Sequence, residues 1–199
     1  MDIYWLRSNE APWGDYGQIL LNGMSSHLPR VDGRLQLERT APYVPPITFP
    51  RRGDVLVTDA IRRAFDESPL GPLPVKSVDK AKVVKLEWER WSRDEPPAYL
   101  PKSRDPEDFV LASEHDSLLS EQIGLIWEID PSSIGQGSYH KVQRHPPEFR
   151  VEVEVPHAVP SVFRVNGVPV VLVREDAGKF LLGVTDNGLR LAPVEVRFL

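Results

Sequence analysis

One short phrase occurs twice in this chain and limits the folds open to it. Val55-Leu56-Val57-Thr58-Asp59 is followed by a stretch containing Phe65, then Leu70, Leu73 and Pro74-Val75. Val171-Leu172-Val173-Arg174-Glu175 is followed by Phe180-Leu181-Leu182, then Leu189, Leu191 and Pro193-Val194. Each copy reads as a compact apolar strand, an acid, a helix or helical turn, and a return strand. A supersecondary unit that recurs at a distance implies one fold assembled from two similar pieces. The two strand-helix-strand units span about 54–78 and 168–198.

A chain of 199 residues is long enough for one domain with a real core. The repeat leaves room for two sub-lobes within it, 1–80 carrying the first unit and 81–199 the second. Twenty prolines break regular elements and favour short strands over long helices.

Asp2–Arg7, aromatic and β-branched, predicts a first strand. Trp13–Gly17 reads as a turn, and Gln18–Gly23 as a second short strand ended by Asn-Gly. Leu28–Pro50 reads as irregular, with Arg34–Glu38 alternating enough for a short strand. Thr58 and Asp59 suit the N-cap and first turn of a helix with Ile61, Ala64 and Phe65 on its apolar face. Ala81–Trp91 predicts the cleanest amphipathic strand, with Val84, Leu86 and Trp88 on one face.

Phe109–Ala112 suits a strand or a helix start, Ser113–Leu119 a helical turn or two, and Gly124–Ile129 a strand. Ser132–Pro147, polar and holding Gly135 and Gly137, reads as a loop, and Phe149–Val155 as an alternating strand. Glu175–Leu182 reads as helical despite Gly178, and Leu189–Phe198 as a closing strand. The expected class is α+β or α/β, a strand-rich mixed sheet with few short helices.

The net charge of −5 is unevenly spread. Glu87–Asp130 holds twelve acidic and four basic residues. An acidic middle argues against nucleic acid as a partner and suits a basic protein surface, or plain solubility. With no cysteine there is no disulfide, thiol nucleophile or thiolate metal site. The start of the chain lacks the cationic and apolar pattern of a signal peptide, and no apolar run approaches the roughly 20 residues of a membrane span. A cytoplasmic protein with no membrane partner is expected.

The five histidines show no H-x-x-x-H or H-E-x-x-H spacing, so neither a metal nor a cofactor is expected. Nucleophile elbows, P-loops and G-x-G-x-x-G are missing as well. The nearest glycine cluster, Gly135-Gln136-Gly137, lacks the third glycine and the following helix. Glu87 with Glu89, Glu107 with Asp108, and Glu114 with Asp116 lie in polar stretches that suit a solvated surface. The one catalytic alternative is a small carboxylate- and histidine-dependent hydrolase or transferase built on His115, which sits between Glu114 and Asp116.

Val159–Gly167, running into Val171–Glu175 and then Leu189–Val196, resembles the end of the double-CXXCG motif proteins, a paralogous group in myxobacteria. Phe163-Arg164 and Glu175 fall where that group carries "D-L-F-R" and "S-E-R-F" segments. Gly17–Gly23, Leu28–Val31 and the region of Tyr43 and Pro45 are similar to its N-terminal part. Both CXXCG motifs are absent, so no zinc-ribbon role carries over. Many of these proteins are regarded as immunity proteins.

The resemblance implies a non-catalytic immunity protein that occludes a cognate antibacterial toxin in bacterial competition. The acidic middle then supplies the contact face, expected at Asp105, Glu107, Asp108, Glu114 and Asp116, with Trp91 and Tyr99 as aromatic anchors. A scaffold subunit of a larger assembly is the other non-enzymatic alternative.

Overall fold

The computed structural model describes residues 1–11, 14–87, 105–142, 148–185 and 188–199. The class is α+β and strand-rich, with short helices and a curled mixed sheet.

The two repeat units fold alike. In the first, the hairpin β3 (Ile47–Arg51) and β4 (Asp54–Thr58) leads into α2 (Asp59–Asp66) and returns as β5 (Val75–Ser77). In the second, the hairpin β10 (Val162–Asn166) and β11 (Val168–Arg174) leads into α5 (Glu175–Val184) and returns as β12 (Leu189–Pro193). In both units the return strand is separated from the strand before the helix by a third, antiparallel strand. β7 (Ile126–Ile129) lies between β4 and β5, and β1 (Ile3–Ser8) lies between β11 and β12.

β1, which precedes the first hairpin in the chain, is thus inserted into the second unit. β7, which precedes the second hairpin, is inserted into the first. The backbone repeats its bonds as well as its order. Thr58 N–H donates to Pro46 C=O and Arg174 N–H to Ser161 C=O. Asp59 N–H donates to Leu125 C=O and Glu175 N–H to Asp2 C=O, tying each helix start to the residue just before the inserted strand.

The two units bury their equivalent faces against each other. Among the described residues, every buried member of this core has a counterpart in it. The pairs are Leu6 with Ile129, Ile47 with Val162, Val55 with Val171, Val57 with Val173, Ile61 with Ala177, Phe65 with Leu181, and Leu73 with Leu189. The Phe65 and Phe180 rings meet edge to face, with centroids 5.5 Å apart. The equivalence puts Leu73 opposite Leu189 and Val75 opposite Leu191, not Pro74 opposite Pro193 as the sequence suggests.

The seven-stranded sheet runs β12-β1-β11-β10-β8-β9-β13, with β8 (Ser133–Val142), β9 (Glu148–Val155) and β13 (Glu195–Phe198). Its two edge strands, β12 and β13, are consecutive in the chain with only Val194 between them, so the sheet curls back toward itself. Strand alternation divides its side chains between two cores. Ile3, Trp5, Phe163 and Leu172 fill the curl, and Leu6, Val162 and Val173 face the other unit. A third layer pairs β2 (Gln36–Ala41) with β6 (Asp79–Lys85) in parallel, beside α1 (Asp15–Asn22), α3 (Pro106–Ala112) and α4 (Ser117–Gln122).

Several expectations are corrected. Gln18–Gly23 is the end of helix α1 and not a strand. Gly14 and Gly23 bracket the helix at positive φ, and an apolar run this short carries no periodicity that separates helix from strand. A Cβ at Gly23 would stand 2.8 Å from the Glu38 carbonyl, so only glycine lets α1 approach β2 there. The expected irregular stretch 28–50 contains β3, whose Pro50 is tolerated because β3 is an edge strand.

Ser132–Pro147 is not a loop through Val142 but strand β8. Ile134 and Tyr139 pack into the curl, while Gly137 lies against Val165 and Val168, where any Cβ would clash. The missing side chain removes the apolar alternation from the sequence. β6 ends at Lys85 and buries both Val83 and Val84, because helices cover both of its faces; the expected position Trp88 lies outside the described residues. Phe109–Ala112 resolves as helix, and the closing strand divides at Val194 into β12 and β13.

Phe65→Ala should cost about 3–5 kcal/mol of stability in urea denaturation. A Phe65/Phe180 double-mutant cycle should return a coupling of about 0.5–1.5 kcal/mol. Additive effects would show that the units do not meet through these rings.

Asp59 gives a second test. Its Oδ1 accepts from Arg62 Nε at 3.0 Å and from the Trp127 indole at 2.9 Å, and Arg63 pairs with Oδ2 at 2.7 Å. The Arg62 hydrogen bond, and then those of Trp127 and the charge of Arg63, hold the Asp59 carboxyl below the usual aspartate range. Its contribution is therefore complete above the unfolded value of about 4 and is lost as pH falls through the lower folded value. Asp59→Asn should lose less stability than the wild type between about pH 5 and pH 2; parallel curves would overturn this.

Candidate functional site

Of the residues expected at a contact face, Asp105, Glu107, Asp108, Glu114 and Asp116 fall together on the α3–α4 segment. Trp91 and Tyr99 lie outside the described residues. Two of the acids work for the fold. Asp105 caps α3, its Oδ1 accepting the Glu107 N–H at 2.9 Å, with Pro106 at the first helical position. Asp116 caps α4 by accepting the Leu119 N–H at 2.9 Å. Asp108 and Glu114 are exposed, and Glu107 is half-buried.

Lysines from β6 hold the other helix ends. Lys82 Nζ donates to Leu111 C=O at 2.6 Å, and Lys80 Nζ donates to the carbonyls of Ser120 and Gly124. Burial lowers the Lys80 pKa, against an opposing effect of Glu121. The helices thus present acids outward while cations tie them from beneath.

Large apolar side chains break this surface. Leu118 is 72 % exposed, Leu125 59 % and Leu111 37 %. α3 packs on one face of β6 through Val110 and Val84 and α4 on the other through Leu119 and Val83, so the exposed leucines, with Leu125 in the turn after α4, lie along a segment that wraps the edge of β6 and has both apolar and charged contacts to offer.

His115 is exposed, and its Nδ1 accepts the Val83 N–H at 3.0 Å, while the Asp116 N–H donates to Val83 C=O at 2.8 Å. This pins the inter-helix loop to the edge of β6. Neither expected neighbour, Glu114 or Asp116, hydrogen-bonds the ring, and Asp116 is engaged as a cap.

A second constellation escaped the sequence reading. Glu128 on β7 is 1 % exposed and receives a bidentate fork from Arg30, both bonds 2.6 Å long. Arg30 also reaches Asp54 at 3.4 Å, and Asp54 accepts from Ser25 Oγ at 2.7 Å. The Glu128 hydrogen bond raises the Arg30 pKa. Nearby, His27 Nδ1 stands 3.3 Å from buried Glu38 Oε2, within ion-pair reach but not aligned as a hydrogen bond. Ser25, His27, Arg30 and Asp54 border a polar hollow of about 420 Å³. Ser25 in this hollow donates to Asp54 and not to a histidine.

Glu128 would have been hard to find: it occupies an inward position of a four-residue strand, and its partner lies 98 positions away. Among the described residues no group of three or more His, Cys, Asp or Glu could hold a metal, and no helix is long and apolar enough to cross a membrane. No protein-family model matches the chain, and no curated protein is significantly similar to it.

Arg30→Leu leaves the Glu128 carboxylate buried without its partner. It should cost about 3 kcal/mol in urea denaturation, the low end for a buried pair because the Arg30 side chain is 44 % exposed. The Arg30→Leu/Glu128→Leu double variant should recover most of that loss, and a further loss on adding the second substitution would overturn the assignment.

Proposed function

We propose that this chain is a cytoplasmic, non-catalytic binding protein of the immunity type, which neutralises a cognate antibacterial toxin by covering it. The observation that carries the reading is the exposed surface of the α3–α4 segment. Along this segment, which passes from one face of β6 round its edge to the other, Leu111, Leu118 and Leu125 are exposed, as are Asp108 and Glu114. Leucines give a partner apolar anchors, and acids around them steer a basic surface into register. Toxins that attack nucleic acid present such basic surfaces. The resemblance to double-CXXCG motif proteins, carried by Phe163-Arg164, Glu175 and Gly17–Gly23 among others, points the same way.

The chemistry of this face also favours occlusion. Asp105 and Asp116 are spent on helix caps, and His115 on the edge of β6. What remains accessible is contact surface.

The test is co-expression of the tagged chain with the C-terminal domain encoded by its upstream neighbour, reading co-elution and rescue of growth. Asp108→Lys with Glu114→Lys, and separately Leu118→Asp, should weaken the complex on the order of 10-fold or more without unfolding the chain. The caps Asp105 and Asp116 stay in place in these variants. Unchanged affinity would sink the α3–α4 face as the contact, and neither complex nor rescue would sink the immunity reading.

A further inference from the structure

The strongest unassigned feature is a cleft of about 330 Å³ on the curled sheet, remote in sequence from the α3–α4 face. Its charge is one-sided. Arg7 of β1, Arg51 and Arg52 at the β3–β4 turn, and Arg190 of β12 all line it. Arg7 and Arg190 stand directly opposite each other in the β1–β12 register. Like charges at facing positions of a sheet repel and are destabilising. Among the described residues no acid forms an ion pair with any of the four, and the only acid lining the cleft is Glu10 at its exposed end. Asp54, next to the turn, is turned away toward Arg30 and Ser25.

The fold holds this unneutralised charge in place. Trp5, Tyr139 and Phe149 form an aromatic row: Trp5 meets Tyr139 edge on at 5.8 Å, and Tyr139 stacks on Phe149 at 5.1 Å. Arg7 lies over Trp5 at 4.6 Å, and Arg52 lies over Tyr139 at 5.3 Å and Phe149 at 5.0 Å. The turn that carries Arg51 and Arg52 is itself fixed. Gly53 has φ +86°, a Cβ there would stand 2.6 Å from Pro169 C=O, and its own carbonyl accepts from Arg164 at 2.8 Å. Burial and then the neighbouring Arg190 lower the Arg7 pKa, in keeping with charge held close against its own kind.

We propose that this cleft binds a nucleoside phosphate, with Arg7, Arg52 and Arg190 taking the phosphate and the flat guanidinium faces receiving the base. Guanidinium forks match phosphate oxygens two at a time, and their planes stack on aromatic rings. A multiply charged anion is the ligand that relieves repulsion among several arginines. A cleft of about 330 Å³ is at the small end for ligand pockets, which favours a free mononucleotide over a strand threaded through it. None of its residues belongs to the α3–α4 face, so this site and the immunity reading stand or fall separately.

The test is isothermal titration of the whole chain with AMP, GMP, ADP, inorganic phosphate and a thymidine hexanucleotide. At least one mononucleotide should bind at least 10-fold more tightly than inorganic phosphate, and Arg52→Gln and Arg190→Gln should each weaken it 10-fold or more. A thermal melt without ligand gives an independent reading: Arg190→Gln should melt higher than the wild type, because it removes a repulsion the ligand otherwise relieves. No binding of any mononucleotide at millimolar concentration would overturn the site, as would binding that both variants leave unchanged. Tighter binding of the hexanucleotide than of every mononucleotide would overturn the free ligand.

Discussion

The structure depends on one packing event, the burial of two copies of the same face against each other. A strand-helix-strand unit of this size exposes an apolar helix stripe and one apolar sheet face, and cannot bury both by itself. Here each copy covers the other, with Phe65 and Phe180 in contact and Val55, Val57, Val171 and Val173 beneath them. Exchange of the inserted strands makes that contact obligatory. Without β7 the first unit has a gap between β4 and β5, and without β1 the second has one between β11 and β12. The core between the units and the hydrogen-bond ladders therefore form together.

What the two copies do with their other faces sets them apart. The second unit extends its sheet through β10 onto β8, β9 and β13 and closes around a second core. The first stops at β3 and rests its far face, through Leu56 and Ile126, on Leu35 and Leu37 of the β2 layer. The equivalent Leu172 and Ile3 instead fill the curl. One repeated pattern thus serves two environments, because in each an apolar side chain meets other apolar side chains.

Much of this was legible because the repeat is written in apolar residues at strand and helix spacing. The units, their helices and strands β1, β7 and β9 follow from apolar spacing and alternation, although Thr58 precedes α2 without making a side-chain cap bond. The failures have physical causes. β8 is hidden because Gly137 fills an inward position with no side chain, and α1 because three apolar residues, Ile19–Leu21, between Gly17 and Gly23 fit either period. The order of strands was beyond reach, since nothing local shows that β1 pairs with segments near the other end of the chain. Of the candidate face, the acids were legible from charge. The leucines among them were not, because an apolar residue on a short helix looks the same whether it faces core or water.

The placement of charge follows the same logic of what each surface can neutralise. Glu128 lies inside the protein and has Arg30 to answer it, so its charge is closed off. Arg39 is fully buried and is answered by the carbonyls of Thr40, Leu21 and Tyr43; burial lowers its pKa to about 10. The acids of α3 and α4 divide between helix caps, which are internally satisfied, and open positions that water satisfies equally well. The arginines around the Trp5–Tyr139–Phe149 row are held together with no acid paired to them among the described residues, and burial and then Arg190 lower the pKa of Arg7. Repulsion of that kind persists where the surrounding structure over-determines it, as the locked Gly53 turn and the facing Arg7 and Arg190 do here.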